Sequence, residues 1–119
     1  MRLASFHAEG ADRVGVEIDG RLVELSSLIG VQAPASMLGL IERQTQVAPL
    51  LKAALAAGLP EGASSYGLDE VTWRAPVPNA SKICCLALNN SANADRTLPG
   101  PKHPAMFTTT ASALSGHGQ

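Results

Sequence analysis

A polar stretch, Asn-Asn-Ser-Ala-Asn-Ala-Asp-Arg at residues 89–96, groups three asparagine amides with an aspartate and an arginine. It directly follows an apolar run at residues 83–88, a pattern typical of a buried strand. Asparagine amides donate and accept hydrogen bonds but take up no proton near neutral pH. The stretch is therefore either an ordinary polar turn or the edge of an active site whose chemical residues have been replaced.

The histidines are scattered along the chain, at His7, His103 and His117. No two have the i, i+2 or i, i+4 spacing that places two ligands on one face of a strand or helix, so we expect no metal site from them alone. His103 lies in a proline-flanked loop and is expected to be solvated. His117, between two glycines, either belongs to a polar terminal loop or is presented to a ligand by a flexible backbone.

The remaining reactive groups give no catalytic set. Asp69, Glu70 and Asp95 lack the pairing expected of an acid and base couple and are interpreted as surface charges. Cys84 and Cys85 are neighbours, and a disulfide between adjacent strand residues would be strained, so we expect two reduced thiols in a buried strand. The sequence also has no glycine-rich phosphate loop, no Gly-x-Ser-x-Gly elbow and no Cys-x-x-Cys pair.

The elements that would position these groups begin with a small antiparallel meander. Apolar and polar residues alternate over residues 14–19, which predicts a strand with one buried face. Asp19-Gly20 suits a tight hairpin turn, so residues 21–25 are predicted to return beside that strand. Residues 2–7 are predicted to form a third strand.

Two helices are predicted after the meander. Ser36 is expected to cap the first, in which apolar residues recur at helical spacing, namely Met37, Leu40 and Ile41. Pro49 suits the first turn of the second helix, and Gly58 is placed to end it. Residues 59–67 are rich in turn formers and predict a surface connection.

The second half of the sequence predicts strands without enough chain to cover them. Residues 71–75 are extended, and the prolines of residues 75–78 favour a non-pairing crossing that we interpret as a boundary. Residues 82–88 have the pattern of a strand covered on both faces. Because residues 106–110 add only one more short strand, this half resembles a core without its remainder.

Composition narrows the function classes. Nine basic and ten acidic residues give a formal charge of -1, which provides no positive field for nucleic acid or an anionic membrane. No apolar run approaches the roughly 20 residues of a membrane span, and no apolar signal core is recognised at the amino terminus. We therefore expect a soluble, cytoplasmic protein of 119 residues, about one small domain in size.

The order of segments from residue 75 onward resembles the fumarylacetoacetate hydrolase family. The matching segments are Ala-Pro-Val-Pro at 75–78, Lys-Ile-Cys-Cys-Leu-Ala-Leu-Asn at 82–89, Pro-Ala-Met-Phe-Thr at 104–108, and Ser-Ala-Leu at 112–114 followed by Gly116 and Gly118. The resemblance implies an α+β fold, mainly β. Residues 1–75 would form the family's small amino-terminal domain, a meander with one or two helices, and residues 76–119 the first strands of its catalytic β-roll. Only the first half or less of a family member would be present.

The resemblance also implies a site. Family members are hydrolases, isomerases or decarboxylases of acyl pyruvates and related keto acids, and they use magnesium or calcium. Their pattern after the apolar strand is Asn-Tyr-x-x-His-x-x-Glu. Asn89 keeps the first place, whereas Asn90, Asn93 and Arg96 stand at the tyrosine, the histidine base and the glutamate. These four residues become candidate pocket residues in a catalytic turn that has lost its chemical side chains.

Further candidates follow from the next family segment. Thr109 stands where the family commonly has a lysine, and Thr108, Thr109 and His117 are candidate substrate-binding residues. The family's acidic metal ligands come from later segments, and Mg²⁺ or Ca²⁺ needs several oxygen ligands. We therefore expect no metal or other cofactor for this chain alone.

Three functions remain open at this point. The chain could be a degenerate family member that has lost hydrolysis and binds or reshapes a keto-acid-like molecule, as a cyclase or isomerase. It could instead be a non-catalytic subunit that shares an active site or fold with a second polypeptide. It could also be a truncated product with an incomplete core and a tendency to aggregate. A small-molecule ligand and a homo-oligomer or second chain are the expected partners.

Overall fold

The computed structural model of the protein describes residues 1–87 and 102–119. Two compact units are present, one of Met1–Asn79 with Ser115–Gln119 and the other of Ala80–Leu114. The elements of the first unit are β1 (Arg2–Ala8), β2 (Ala11–Ile18), β3 (Arg21–Glu24), α1 (Leu25–Ile29), a 3-10 turn (Gly30–Gln32), α2 (Met37–Glu42), α3 (Gln44–Ala57), β4 (Ser65–Gly67) and β5 (Thr72–Trp73). Those of the second are β6 (Ile83–Ala87), β7 (Ala105–Thr109) and a 3-10 turn (Ala111–Ala113). The α+β class is confirmed, and the division into domains 1–75 and 76–119 stays a prediction.

The predicted meander forms the centre of a five-stranded antiparallel sheet with the order β4-β3-β2-β1-β5. At the turn between β2 and β3, Asp19 and Gly20 have φ angles of 49° and 76°. Two successive positive φ angles match the right-handed twist of the flanking strands, so this dipeptide sets the hairpin register. The returning strand is one residue shorter than predicted, because Leu25 begins α1.

Both faces of the sheet bury apolar side chains, so the prediction of one buried face was wrong. Val14, Val16 and Val23 lie on the side we call the helix face, where they pack with residues of α1, α2 and α3. Phe6 and Leu22 are buried on the opposite side, the aromatic face, with Tyr66 and Trp73 packed around them. The late strands β4 and β5 supply these aromatic side chains, which local alternation in β2 does not reveal.

Gly15 lets the aromatic face close. A Cβ atom built at residue 15 would lie 2.9 Å from a ring carbon of Phe6 and 2.7 Å from the carbonyl oxygen of Val23. Real Cβ atoms do not approach other heavy atoms so closely. The absence of a side chain therefore allows the Phe6 ring, which is fully buried, to lie over the β2 backbone.

The two predicted helices are present, with one corrected start, and α1 is a further helix that was not predicted. Ser36 caps α2 as predicted, since its Oγ accepts the Gly39 N–H at 3.1 Å, and α2 buries Met37 and Leu40 but leaves Ile41 45% exposed. The second helix starts at Gln44, so Pro49 lies inside it and not in its first turn. The first hydrogen bonds of this helix are those from the backbone N–H groups of Gln46 and Val47 to the Arg43 carbonyl, and no side chain caps its start. The helix ends at Gly58, with φ 90°, as predicted.

Two short strands close the edges of this sheet. Ser65–Gly67, predicted as part of a loop, pairs with β3, and Arg21 holds it through Nε to Ser65 Oγ at 3.1 Å and a second bond to the Ser65 carbonyl at 3.0 Å. Thr72–Trp73 pairs with β1 at the other edge. This pairing continues to Arg74, whose N–H donates to the Ser5 carbonyl at 3.0 Å.

The second unit contains an antiparallel hairpin of β6 and β7, in which Ile83 pairs with Thr109 and Ala87 with Ala105. Paired residues share a face, so Leu86 and Met106 lie side by side. Leu86 is 50% exposed, Met106 64% and Phe107 54%. Within the described residues the hairpin is therefore not the doubly covered strand that the pattern of residues 82–88 indicates.

Candidate functional site

The polar turn proposed as the family's catalytic segment lies outside the described residues. This applies to all four of its candidate residues, Asn89, Asn90, Asn93 and Arg96. The structure does define the chain on both sides of the segment, since β6 ends at Ala87 and β7 begins at its pairing partner Ala105. Directly paired Cα atoms in an antiparallel ladder are about 4.5–5.5 Å apart. The two ends of the segment that contains the asparagines are thus held next to each other.

The two candidate threonines point to opposite faces of the hairpin. Thr108 pairs with Cys84 and is exposed, whereas Thr109 pairs with Ile83 and is half-buried. A ligand lying on one face of the hairpin can therefore contact only one of these side chains. Thr108 belongs to the more exposed face.

His117 belongs to the other compact unit and is exposed. It lies in a terminal turn in which the Gly116 N–H donates to Gln119 Oε1 at 3.1 Å. A Cβ at residue 116 would lie 1.8 Å from the Trp73 carbonyl oxygen, so only glycine fits at this close approach to β5. Thr108 belongs to the second unit and His117 to the first.

The two thiols are free, as expected for adjacent strand residues. Cys85 is half-buried, but Cys84 is exposed, so the prediction of two buried thiols was wrong for Cys84. Cys84 belongs to the same open face of the hairpin as Leu86, and no described residue covers that face fully.

A charged cluster that the sequence analysis missed lies at one end of the first unit's sheet. His7 pairs with Asp12 across the β1–β2 turn, and His7 Nδ1 lies 2.7 Å from Asp12 Oδ1. Arg74 Nε donates to the same carboxylate oxygen at 2.9 Å. These hydrogen bonds, first that of His7 and then that of Arg74, lower the pKa of Asp12 from its usual 3.8. We call these three residues the His7 cluster.

The hydrogen bond to Asp12 selects a tautomer of His7. Arg74 Nη2 lies 3.3 Å from His7 Nδ1, but a nitrogen that donates its proton to Asp12 cannot also accept one from Arg74. The 2.7 Å contact is the shorter, so Nδ1 carries the proton.

A cleft of about 320 Å³ opens beside this cluster on the helix face. Its sheet side is formed by Ser5, Asp12, Val14 and Arg74, and its opposite side by residues 35–37 at the start of α2. Phe6, Arg13, Pro78 and Asn79 complete the lining. The cleft therefore combines a charged pair at one end with an apolar surface along the sheet and α2.

A second polar cluster lies on the aromatic face. The Arg13 guanidinium donates to Glu24 and, at 3.3 Å, to Glu9, and it lies 5.5 Å from the centre of the Tyr66 ring. Tyr66 donates to Glu9 Oε2 at 3.0 Å, and burial, followed by this hydrogen bond, raises the pKa of Tyr66. Within the described part of the chain, Glu9 and Glu24 balance the positive charge of Arg13. We therefore interpret this cluster as a structural network.

Residues 1–87 and 102–119 contain no group of three or more histidine, cysteine, aspartate or glutamate side chains that could hold a metal ion. The expectation of no metal for this chain alone stays a prediction. In the same residues, no helix is long and apolar enough to cross a membrane.

Comparison with models of known protein families finds no match. Curated relatives do match, and three of them are mitochondrial oxaloacetate tautomerases by name: Fahd2a of Rattus norvegicus, 31% identical, and FAHD2A of Bos taurus and of Homo sapiens, each 30% identical. Each alignment covers 98% of this chain but 37% of the relative. The chain thus spans little more than a third of the length of these relatives. Because their names include the word mitochondrial, the cytoplasmic location expected from the sequence stays a prediction.

The sequence contains part of the signal for the His7 cluster. Glu9 and Gly10 have positive φ angles of 50° and 76°, and a two-residue turn at this point places His7 opposite Asp12. Arg74 carries no such signal, because it reaches the cluster through the pairing of β5 with β1.

Proposed function

Because this chain belongs to the fumarylacetoacetate hydrolase family, we propose that it takes part in an isomerase-type reaction of a small keto acid and not in metal-dependent hydrolysis. The observation that carries the proposal is the match of 98% of the chain to proteins named oxaloacetate tautomerases. The proposed ligand is an oxaloacetate-like molecule, which has a ketone beside an acidic C–H group.

Tautomerisation needs less from a protein than hydrolysis does. One proton leaves the carbon beside the ketone, and the electrons of that C–H bond form a C=C bond as the π electrons of the C=O bond move to oxygen. One proton is then added to that oxygen, and no other molecule is consumed. The transition state resembles an enolate, whose oxygen is stabilised by hydrogen-bond donors placed in advance. Asparagine N–H groups and a threonine hydroxyl can provide such donors without changing their own protonation.

Asn89, Asn90 and Asn93 are the proposed donors from the polar turn, with Thr108 as a further donor on the hairpin. Asn93 cannot act as the base, because an amide takes no proton near neutral pH. We propose that water carries the proton while the amides hold the planar enolate. Orientation of the substrate would then account for most of the rate enhancement.

The hairpin gives this proposal a geometric basis. The turn begins two residues after Ala87, and the Ala87–Ala105 pair fixes both ends of the segment that contains it. Thr108 is three residues beyond Ala105, about 10 Å along the strand. A ligand that Thr108 shares with the polar turn would therefore contact the hairpin face that also carries Cys84 and Leu86.

Turnover in the presence of a chelator tests the proposal. The purified 119-residue chain is mixed with oxaloacetate in EDTA, and loss of the enol absorbance is followed. We expect a rate above that of buffer alone, unchanged by EDTA. Since a single donor to a developing oxyanion is worth up to about 10²–10³-fold, Asn93→Ala should lower the rate at least about tenfold.

Matched variants separate chemistry from folding. Thr108→Val removes the proposed hydroxyl donor at a strand position that suits valine, whereas Thr45→Val makes the same change at an exposed position of α3. We expect only Thr108→Val to slow the reaction. Complete indifference to Asn93→Ala and Thr108→Val would contradict the proposed donors.

The second candidate function is that of a subunit or segment completed by another polypeptide. The observation that favours it is the open hairpin, with Leu86 and Met106 exposed side by side on one face and Phe107 exposed on the other. Exposed apolar side chains of this kind are typical of surfaces that another chain covers. In this case the asparagines would contribute to a site whose acidic residues come from elsewhere.

Native mass spectrometry distinguishes the two candidates. The chain is measured alone and after co-expression with the products of its neighbouring genes. A homo-oligomer that is active by itself supports the first candidate. An inactive chain that becomes active only with a captured second polypeptide supports the second.

A further inference from the structure

We propose that the cleft beside the His7 cluster binds a free α-amino acid with an apolar side chain, recognised as a zwitterion. In this arrangement the ligand carboxylate contacts Arg74, its ammonium group contacts Asp12, and its side chain lies against Val14 and Met37. This site belongs entirely to the first unit, so it is independent of the keto-acid reaction proposed above.

The first step of the argument concerns the charges at one end of the cleft. Arg74 Nε and Asp12 Oδ1 form an ion pair at 2.9 Å, and the side chains are 35% and 65% exposed. Both residues line the cleft, so a ligand entering it meets a positive and a negative group side by side. An α-amino acid has its two charges at similarly close spacing.

The second step concerns the cost of binding each kind of ligand. A simple anion that contacts Arg74 would place a second negative charge beside Asp12. A simple cation that contacts Asp12 would place a second positive charge beside Arg74, and like charges this close repel each other. A zwitterion gives each group a new partner of the correct sign, which favours this class of ligand.

The third step concerns hydrogen-bond capacity. A guanidinium has five N–H donors. Among the described residues, Arg74 donates from Nε to Asp12, and its Nη2 lies near His7 Nδ1. Ser36 Oγ accepts the Gly39 N–H and retains its own hydroxyl proton as a donor. Each side of the cleft therefore has a side chain with donor capacity for a carboxylate.

The fourth step concerns size and the apolar wall. About 320 Å³ is near the lower end of the range of small-molecule sites, about 300–1,000 Å³. The sheet contributes Val14, α2 begins with Met37, and Ala35 and Pro78 continue this wall. The space suits an aliphatic or thioether side chain better than a polar one.

The test is a ligand titration of the full chain followed by two-dimensional ¹H–¹⁵N NMR. L-Leucine and L-methionine are the probes, and N-acetyl-L-leucine and L-leucinamide each remove one of the two charges. We expect saturable shifts of the Val14, Ser36 and Met37 amides with the zwitterions. Both blocked analogues should bind at least about tenfold more weakly, because each lacks one charge-assisted contact.

Variants test the same assignment from the side of the protein. Arg74→Gln and Asp12→Asn should each weaken leucine binding at least about tenfold. Arg2→Gln is the matched control, since Arg2 forms an exposed ion pair with Glu17 at 3.2 Å on the same sheet but does not line the cleft. It should bind leucine as the unaltered chain does.

Clear outcomes would overturn the proposal. Equal binding of N-acetyl-L-leucine would indicate an anion site, and equal binding of L-leucinamide a cation site. Absence of saturable shifts at about 10 mM leucine, which is ten times a Kd of ~1 mM, would exclude an amino-acid site of millimolar or tighter affinity. Because the analogues are tested on the unaltered chain, these results do not depend on whether the variants fold.

Discussion

Replacing Gly15 by alanine should strongly destabilise the first unit. The added Cβ would lie 2.7 Å from the Val23 carbonyl oxygen and 2.9 Å from the Phe6 ring. The carbonyl belongs to the paired β2–β3 backbone, and the Phe6 ring is fully buried, so neither neighbour can move aside without disturbing the sheet. Two contacts of this kind place the substitution near the upper end of the usual overpacking cost, about 3 kcal/mol.

The net effect is smaller than this cost. Alanine restrains the unfolded chain more than glycine does, which recovers about 0.5–1 kcal/mol. The free energy of unfolding should therefore fall by about 2 kcal/mol. For a domain of this size that corresponds to a decrease in Tm of roughly 8–16 °C.

Urea unfolding followed by far-UV circular dichroism measures the change. Gly39→Ala is the matched control, because its Cβ would be 3.4 Å from Ser36 Oγ within α2 and alanine favours a helix. We expect the two variants to shift the unfolding midpoint in opposite directions. A Gly15→Ala variant that unfolds at the same urea concentration as the unaltered chain would refute the packing of Phe6 over the β2 backbone.

Three further predictions follow from the same structure. Ser36→Ala removes the α2 cap and should cost about 1 kcal/mol in urea unfolding, whereas Ser36→Asp should retain most of the stability. The folded-state pKa of Asp12 is lowered, so its contribution is present above its usual pKa of 3.8 and is lost as pH falls through the lowered value. Since Asp12 is 65% exposed, Asp12→Asn should reduce the acid dependence of stability by less than about 1 kcal/mol, and an unchanged pH profile would contradict the hydrogen bonds assigned to it. Replacing both Leu86 and Met106 by glutamine should abolish any self-association seen by analytical ultracentrifugation, whereas Val31→Gln, at a fully exposed position, should not change it.

The elements that the sequence predicted well depend on short-range chemistry. Asp19-Gly20 specifies its own turn, and Ser36 caps the helix that starts at the next residue. The two positive φ angles and the side-chain acceptor are properties of adjacent residues. Sequence is sufficient for such features because no distant partner is involved.

The features that the sequence did not predict depend on distant partners. Phe6 is buried on the aromatic face because Tyr66 and Trp73 return beside it from strands more than fifty residues later. Tertiary context therefore overrides the local alternation that predicts a single buried face.

The candidate sites show the same contrast. The family turn was found from the order of its side chains, and its residues lie outside the described part of the chain. The His7 cluster combines one local pair, His7 with Asp12, and one distant partner, Arg74. A β1–β2 register with a turn at Glu9 and Gly10 predicts the first pair, whereas the strand pairing that brings Arg74 has no local signature.

Exchange of the carbon-bound hydrogen of the keto acid tests whether this chain catalyses isomerisation without a metal. Oxaloacetate is incubated in deuterated buffer with EDTA and the chain, and ¹H NMR follows loss of the signal from the carbon beside the ketone. We predict that the chain accelerates this exchange without a metal and that Asn93→Ala slows it at least about tenfold. Exchange at the rate of buffer alone, or acceleration that EDTA abolishes, would contradict metal-independent isomerase chemistry by this chain.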